Sequence, residues 1–185
     1  MTENFSFSLT DEEKEYLKKI VKLSIVSNLR GDKEHEIPDP PTGHLKENLG
    51  AFVTLKLGGD LRGCIGNVQG TGPLYQTIWA MARAAAFEDP RFPELTLSEY
   101  EELDYEISIL SPISICPDIE QIEIGKHGLI MQRGRNSGLL LPQVATEWKW
   151  NRHQFLAHTC QKAGMEPRAW QDEATNIFWF EAIVF

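Results

Sequence analysis

Ala51-Phe52-Val53-Thr54-Leu55-Lys56-Leu57-Gly58-Gly59-Asp60-Leu61-Arg62-Gly63-Cys64-Ile65-Gly66 decides how the rest of the chain is read. Apolar and polar residues alternate from Ala51 to Leu57, the period of a half-buried strand, and Gly58-Gly59-Asp60 supplies turn residues. The spacing predicts a β-hairpin whose return strand carries Arg62 and Cys64 around Gly63, with Gly66 beyond. Glycine inside a strand means close approach to the backbone, by another part of the protein or by a ligand. The residues alone leave both open. Cys64 itself reads as a small buried hydrophobe or as a thiol with chemistry to do.

Composition bounds the rest. At 185 residues, 42% hydrophobic and 24% charged, the chain suits one soluble globular domain or two interlocked subdomains, and no apolar run could span a bilayer. Met1 to Ser6 lacks a basic segment followed by an apolar one, so no secretory leader is expected and the location implied is cytoplasmic. Cys64, Cys116 and Cys160 are widely spaced and odd in number, which argues for reduced thiols rather than disulfides or structural zinc. A net charge of -9 repels polyphosphate, making nucleic acid a poor partner. The exception would be a basic patch formed in three dimensions by Arg62, Arg83 and Arg91.

Outward from the hairpin, Thr10 with Glu13 has capping-box spacing, and Leu17, Ile20, Val21 and Ser24 recur at helical intervals, predicting a helix over 11–29. Residues 31–50 lose that period and contain Pro38, Pro40 and Pro41, the mark of a long connector in which His35 and His44 read as solvated. A second helix follows Pro73, packed closely through Ala80, Ala82 and Ala84 to Ala86, and ends in the rigid Glu88-Asp89-Pro90-Arg91-Phe92-Pro93 turn. Ser98 and Glu101 suggest the cap of a short helix before a strand at 105–110. A second hairpin is expected around Arg133 to Gly138, with His127 in the turn before it. Asn151 and Gln154 cap a helix whose apolar stripe runs Phe155, Leu156, Thr159, Cys160 and Ala163, stopped by Gly164. Ile177 to Phe185 reads as a final strand covered on both faces. Hairpins outnumber β-α-β patterns, so the expected class is α+β with mainly antiparallel sheet.

No P-loop, dinucleotide fingerprint, zinc-protease helix or nucleophile elbow is present, and no metal or cofactor site is predicted. The residues left to carry chemistry are Cys64 with Arg62, the Asp89-Pro90-Arg91 turn, and His127 as the histidine best placed for a general base. Arg62 and Cys64, two apart, share a face if the segment between them is fully extended. Asp89 and Arg91 either hold each other across the turn or bind a polar ligand.

Leu61-Arg62-Gly63-Cys64-Ile65-Gly66, Ala85 to Pro93, Gly125-Lys126-His127-Gly128-Leu129-Ile130, Leu140 to Val144, and Lys162-Ala163-Gly164, in that order, resemble the AMMECR domain family. Its microbial members are often called AmmeMemoRadiSam system protein A. The resemblance implies a compact α+β unit of two intertwined subdomains with the signature strand near a cleft. It also implies association with a Memo-type protein and a radical SAM enzyme. It weights Arg62, Gly63, Cys64, Gly66, Asp89 and Arg91 toward one shared site. It does not by itself supply an activity.

Two functions remain in view. One is a non-catalytic accessory module that recognises a partner through the signature segment. The other is an enzyme in which Cys64 is a nucleophile or ligand-holding thiol, Arg62 and Arg91 bind the anionic group of a small or peptide-like substrate, and Gly63 and Gly66 admit it close to the backbone.

Overall fold

The computed structural model describes residues 8–32 and 34–185. The Met1–Ser6 stretch lies outside them. The chain forms two compact units, one running to Leu110 and including Ile183–Phe185, the other Ser111–Ala182.

The first unit opens with α1, Asp11–Leu29, started by the predicted capping box: the Thr10 side chain accepts the Glu13 N–H, and the Glu13 carboxylate accepts the Thr10 N–H. Its buried stripe is Leu17, Ile20, Val21, Ser24 and Ile25. The connector that follows is held to this helix. Glu13, 2% exposed, also receives the Thr42 hydroxyl and faces His44 Nδ1 at 3.2 Å, while the Tyr16 hydroxyl donates to the Pro38 carbonyl at 2.6 Å. His35 stacks on Trp79 with ring centroids 6.0 Å apart. His35 is exposed, as its place in the connector suggests, and also meets Asp32 at 2.9 Å, whereas His44 is half-buried against Glu13, a contact the sequence did not signal because Glu13 lies 31 residues away.

Strands β1, Gly50–Leu57, and β2, Asp60–Asn67, form the predicted hairpin. Gly58 and Gly59 take φ of 58° and 90°, the left-handed region demanded by the tight turn that matches strand twist. Strand β3, Leu103–Leu110, pairs with the other side of β1, so the order is β2-β1-β3, all antiparallel. Ala51, Val53 and Leu55 with Ile107 and Ile109 form one face of this sheet. They are buried in a core with α1 and with α2, Leu74–Phe87, whose Ala82, Ala85 and Ala86 sink into it. Short α3, Leu97–Glu101, is capped by Thr96 and Glu99, two residues earlier than Ser98 and Glu101 suggest. Ile107 and Phe185 exchange two backbone hydrogen bonds, which brings the chain's last residues onto β3.

The second unit holds a sheet ordered β4-β7-β5-β6, from β4, Ser114–Ile115, β5, His127–Arg133, β6, Asn136–Leu140, and β7, Asn176–Val184, whose last two residues belong to the first unit, again all antiparallel. Helix α4, Pro142–Glu147, follows β6, and α5, Arg152–Lys162, carries the predicted capping box. Phe155, Leu156, Thr159 and Cys160 are fully buried, as their spacing requires, and Gly164 ends the helix at a φ of 71°. Strand β7 is less covered than its apolar run predicts: Phe180 alone is buried, and its neighbours are half-buried. The class is α+β. Among the described residues no helix is long and apolar enough to cross a membrane.

Candidate functional site

The signature strand is shaped by a β-bulge. Leu57 pairs with Asp60 and Lys56 with Leu61, but Leu55 then pairs with Gly63, leaving Arg62 as the extra residue. The bulge breaks the two-residue alternation that would put Arg62 beside Cys64. Arg62 is 7% exposed and turns to α3: its Nε donates to Glu99 Oε1 at 2.9 Å, and its NH2 donates to Glu99 Oε2 at 3.2 Å and to the Pro93 carbonyl at 2.9 Å. The Arg62 guanidinium and the Thr96 amide hold the Glu99 carboxyl down at about 2. Arg62 thus ties the hairpin to α3.

Beyond the bulge, Gly63 faces the core. A Cβ there would stand inside the Ala85 carbonyl of α2, so the helix backbone is the close neighbour that glycine admits. Cys64 points to the opposite face, half-buried, directly across from Thr54, whose hydroxyl donates to the Cys64 sulfur at 3.3 Å. Gly66 lies on the same face as Cys64, under the ring of its cross-strand partner Phe52. Both close approaches are made by the protein itself.

The Asp89-Pro90-Arg91 turn closes on Cys64. The Phe92 N–H donates to the Asp89 carbonyl with proline between them, and Asp89 Oδ1 accepts the Arg91 N–H at 3.1 Å, an Asx turn. Asp89, 4% exposed, accepts the Cys64 N–H at 2.9 Å on Oδ2, and Arg91 Nε and NH2 at 2.9 and 2.7 Å. Arg91 NH2 also reaches the Cys64 carbonyl at 3.4 Å. Strand β2 is an edge strand, and at Cys64 both outward backbone groups are met by side chains of this turn, which stand in for a neighbouring strand. Hydrogen bonds from Arg91, and then from the Cys64 amide, hold the Asp89 carboxyl far below the usual carboxylate range. Asp89 raises Arg91 in return, burial opposes this, and Cys64 adds to the rise. The Arg91 side chain is 53% exposed.

Of the residues singled out from sequence, Cys64, Asp89 and Arg91 are in direct contact, Arg62 is diverted to Glu99, and Gly63 and Gly66 serve packing. His127 belongs to the second unit. It is the first residue of β5 rather than part of a turn. Its Nδ1 accepts the Glu123 N–H at 3.0 Å and its ring lies 4.4 Å from that of Trp179. With Nδ1 occupied as acceptor, the neutral ring carries its proton on Nε2, and burial lowers its affinity for a second proton. Arg83 sits over Trp79 at 5.5 Å and donates to Ser27, whereas Arg62 and Arg91 both lie against the Phe92 ring, each already paired with a carboxylate. Among the described residues no group of three His, Cys, Asp or Glu is placed to hold a metal ion.

Sequence reasoning missed Thr54 and Glu99. Counting back from the Gly58-Gly59 turn pairs Thr54 with Gly63. Only the bulge moves it opposite Cys64. Glu99 was signalled by Thr96, which precedes it at the same spacing as the Ser98 and Glu101 pair.

An antiparallel α+β protein with an Arg-Gly-Cys edge strand latched by an Asp-Pro-Arg turn is a recognisable class. The AMMECR1 family model matches residues 18–185, and the chain belongs to that family. A protein of Methanothermobacter thermautotrophicus is 40% identical over 183 residues, covering 96% of this chain and 95% of its own. Protein MK0488 of Methanopyrus kandleri is 44% identical over 186 residues, covering 96% and 89%. The crystal structure of uncharacterized protein PH0010 from Pyrococcus horikoshii superposes with a TM-score of 0.89 at 38% identity, covering 96% of this chain and 93% of that one.

Proposed function

We propose that this AMMECR1-family chain is a cytoplasmic accessory module. It recognises a partner protein through the surface formed by Cys64, Thr54 and the exposed edge of Arg91. The family resemblance supplies the partner class: a Memo-type protein and a radical SAM enzyme. The supporting observation is the division of labour within the signature. Arg62 and Asp89 are consumed by contacts that hold β2, α3 and the turn together. What they present outward is a half-exposed guanidinium beside a half-buried thiol, a combination suited to an anionic or peptide-like group of a partner.

Capture of the purified Memo-type protein and radical SAM enzyme by the tagged chain tests this. Arg91→Lys and Cys64→Ser, each verified as folded by its circular dichroism spectrum and cooperative melting, are expected to weaken capture of at least one partner. Undiminished capture in both variants would remove the surface from recognition.

One observation favours a second reading, in which Cys64 acts as a nucleophile. The Thr54 hydroxyl donates to its sulfur, and a hydroxyl donor stabilises a thiolate. Alkylation of Cys64 followed against pH decides between the two. A thiol that titrates at or above the free value of ~8.5 and reacts slowly in the folded protein excludes nucleophilic chemistry.

A further inference from the structure

A cavity of about 570 Å³ opens between α1, α3 and the start of β3, formed by residues other than those around Cys64. An adjoining depression of about 210 Å³ shares Lys22, Tyr100, Leu103 and Tyr105 with it. Its α1 wall is a stripe one step round from the helix's buried face. Leu23 and Val26 line the cavity beyond the core positions, and Lys18, Lys19 and Lys22 rise along the rim. Leu103 adds apolar surface opposite. Tyr100 and Tyr105 supply two aromatic walls whose hydroxyls donate to the Lys22 and Lys18 carbonyls, each at 3.4 Å.

These walls are fixed in place. Tyr100 follows Glu99, which closes the α3 capping box and receives the Arg62 guanidinium, so the short helix cannot drift from the sheet. Burial raises both phenols above their ordinary values, and neither becomes a phenolate near neutral pH. The larger cavity is lined by three lysines against Glu15 and Asp104, and the adjoining depression adds Glu101, so the cationic character is confined to the α1 rim that carries Lys19 and Lys22. Glu15 engages Lys18 at 3.1 Å, and the Lys22 ammonium stands over the Tyr105 ring at 5.8 Å. Lys19 and Lys22 are exposed at the mouth.

We infer that this cavity binds a small soluble amphipathic anion. Its flat apolar body lies on Leu23, Val26 and Leu103 between the two tyrosines. Its single carboxylate, phosphate or sulfonate meets Lys19 and Lys22. Apolar contact contributes affinity in such a pocket, and the placed cations fix orientation and sign of charge. The site is independent of the Cys64 surface.

Titration of the full chain with anilinonaphthalene sulfonate, read by fluorescence and by amide chemical shifts, tests the inference. The expected result is one saturable site per chain, with shifts confined to 15–26 and 100–105. Reversing the two exposed charges, Lys19→Glu with Lys22→Glu, should weaken binding about tenfold or more, the scale of a charged hydrogen bond lost and a repulsion gained. Lys162→Glu on α5 should leave it unchanged, and anilinonaphthalene without the sulfonate should bind several-fold more weakly. Absence of saturable binding, shifts centred elsewhere, or an affinity indifferent both to the double reversal and to loss of the sulfonate would overturn the proposal.

Discussion

At the scale of single residues, the signature is mostly self-contact. Gly63 exists because the Ala85 carbonyl occupies the space a side chain would need, and neither backbone can yield without moving β2 or α2. Gly63→Ala should therefore cost about 2 kcal/mol, a moderate overpacking penalty. Gly43→Ala, where nothing approaches, should stay within roughly 0.5 kcal/mol of wild type. Urea midpoints with unchanged slopes would check both. Asp89 makes the hairpin acid-sensitive. Its folded-state affinity for protons is depressed by Arg91 and by the Cys64 amide, so its contribution is complete above the unfolded value of ~3.9 and is lost as pH falls toward the folded value. Glu99, held at about 2 by Arg62, acts in the same direction. Stability measured from pH 6 down to pH 2 should fall along an acid limb that is shallower in Asp89→Asn, already less stable at pH 6. A limb of unchanged steepness in the variant would show that other carboxylates carry it.

At the scale of elements, what was legible depended on whether the determining contacts were local. Thr10 with Glu13 and Asn151 with Gln154 lie within one helical turn, and α1 and α5 begin where those pairs place them. The Gly58-Gly59 turn likewise set the start of the hairpin. The bulge at Arg62 was not legible, because α3 and Glu99, far along the chain, draw that side chain aside and change every pairing beyond it. Neither α4 nor the two-residue β4 was foreseen. Pro142, just past the end of β6, stands in the first turn of α4, where its missing N–H costs nothing. The end of α4 yields a further expectation. Trp150 N–H bonds to the Ala145 carbonyl and Lys149 N–H to the Thr146 carbonyl, a Schellman ending, and Lys149 takes its left-handed position at a φ of 55°. A side chain is strained there. Lys149→Gly should raise stability by roughly 0.5–1 kcal/mol despite the flexibility glycine adds to the unfolded chain. A lower melting temperature in that variant would contradict the assignment of strain.

At the scale of the whole molecule, antiparallel pairing and the placement of α1, α2 and α5 followed from the hydrophobic and capping patterns. What could not be read in advance was how the signature divides. Arg62, Gly63 and Asp89 hold the hairpin to its neighbours, while Cys64, Thr54 and the part-exposed Arg91 form the surface proposed for recognition. The proposed partners come from the family resemblance alone, since no local pattern of charge or aromatic residues names one. The Cys64 amide, donated to a buried carboxylate at an otherwise open edge, is a direct reporter of that surface. Amide hydrogen exchange of the chain should be compared alone and mixed with the proposed partners, a Memo-type protein and a radical SAM enzyme. The account predicts added protection concentrated in residues 52–66 and 88–92. Protection gained elsewhere with exchange at Cys64 and Arg91 unchanged would contradict it.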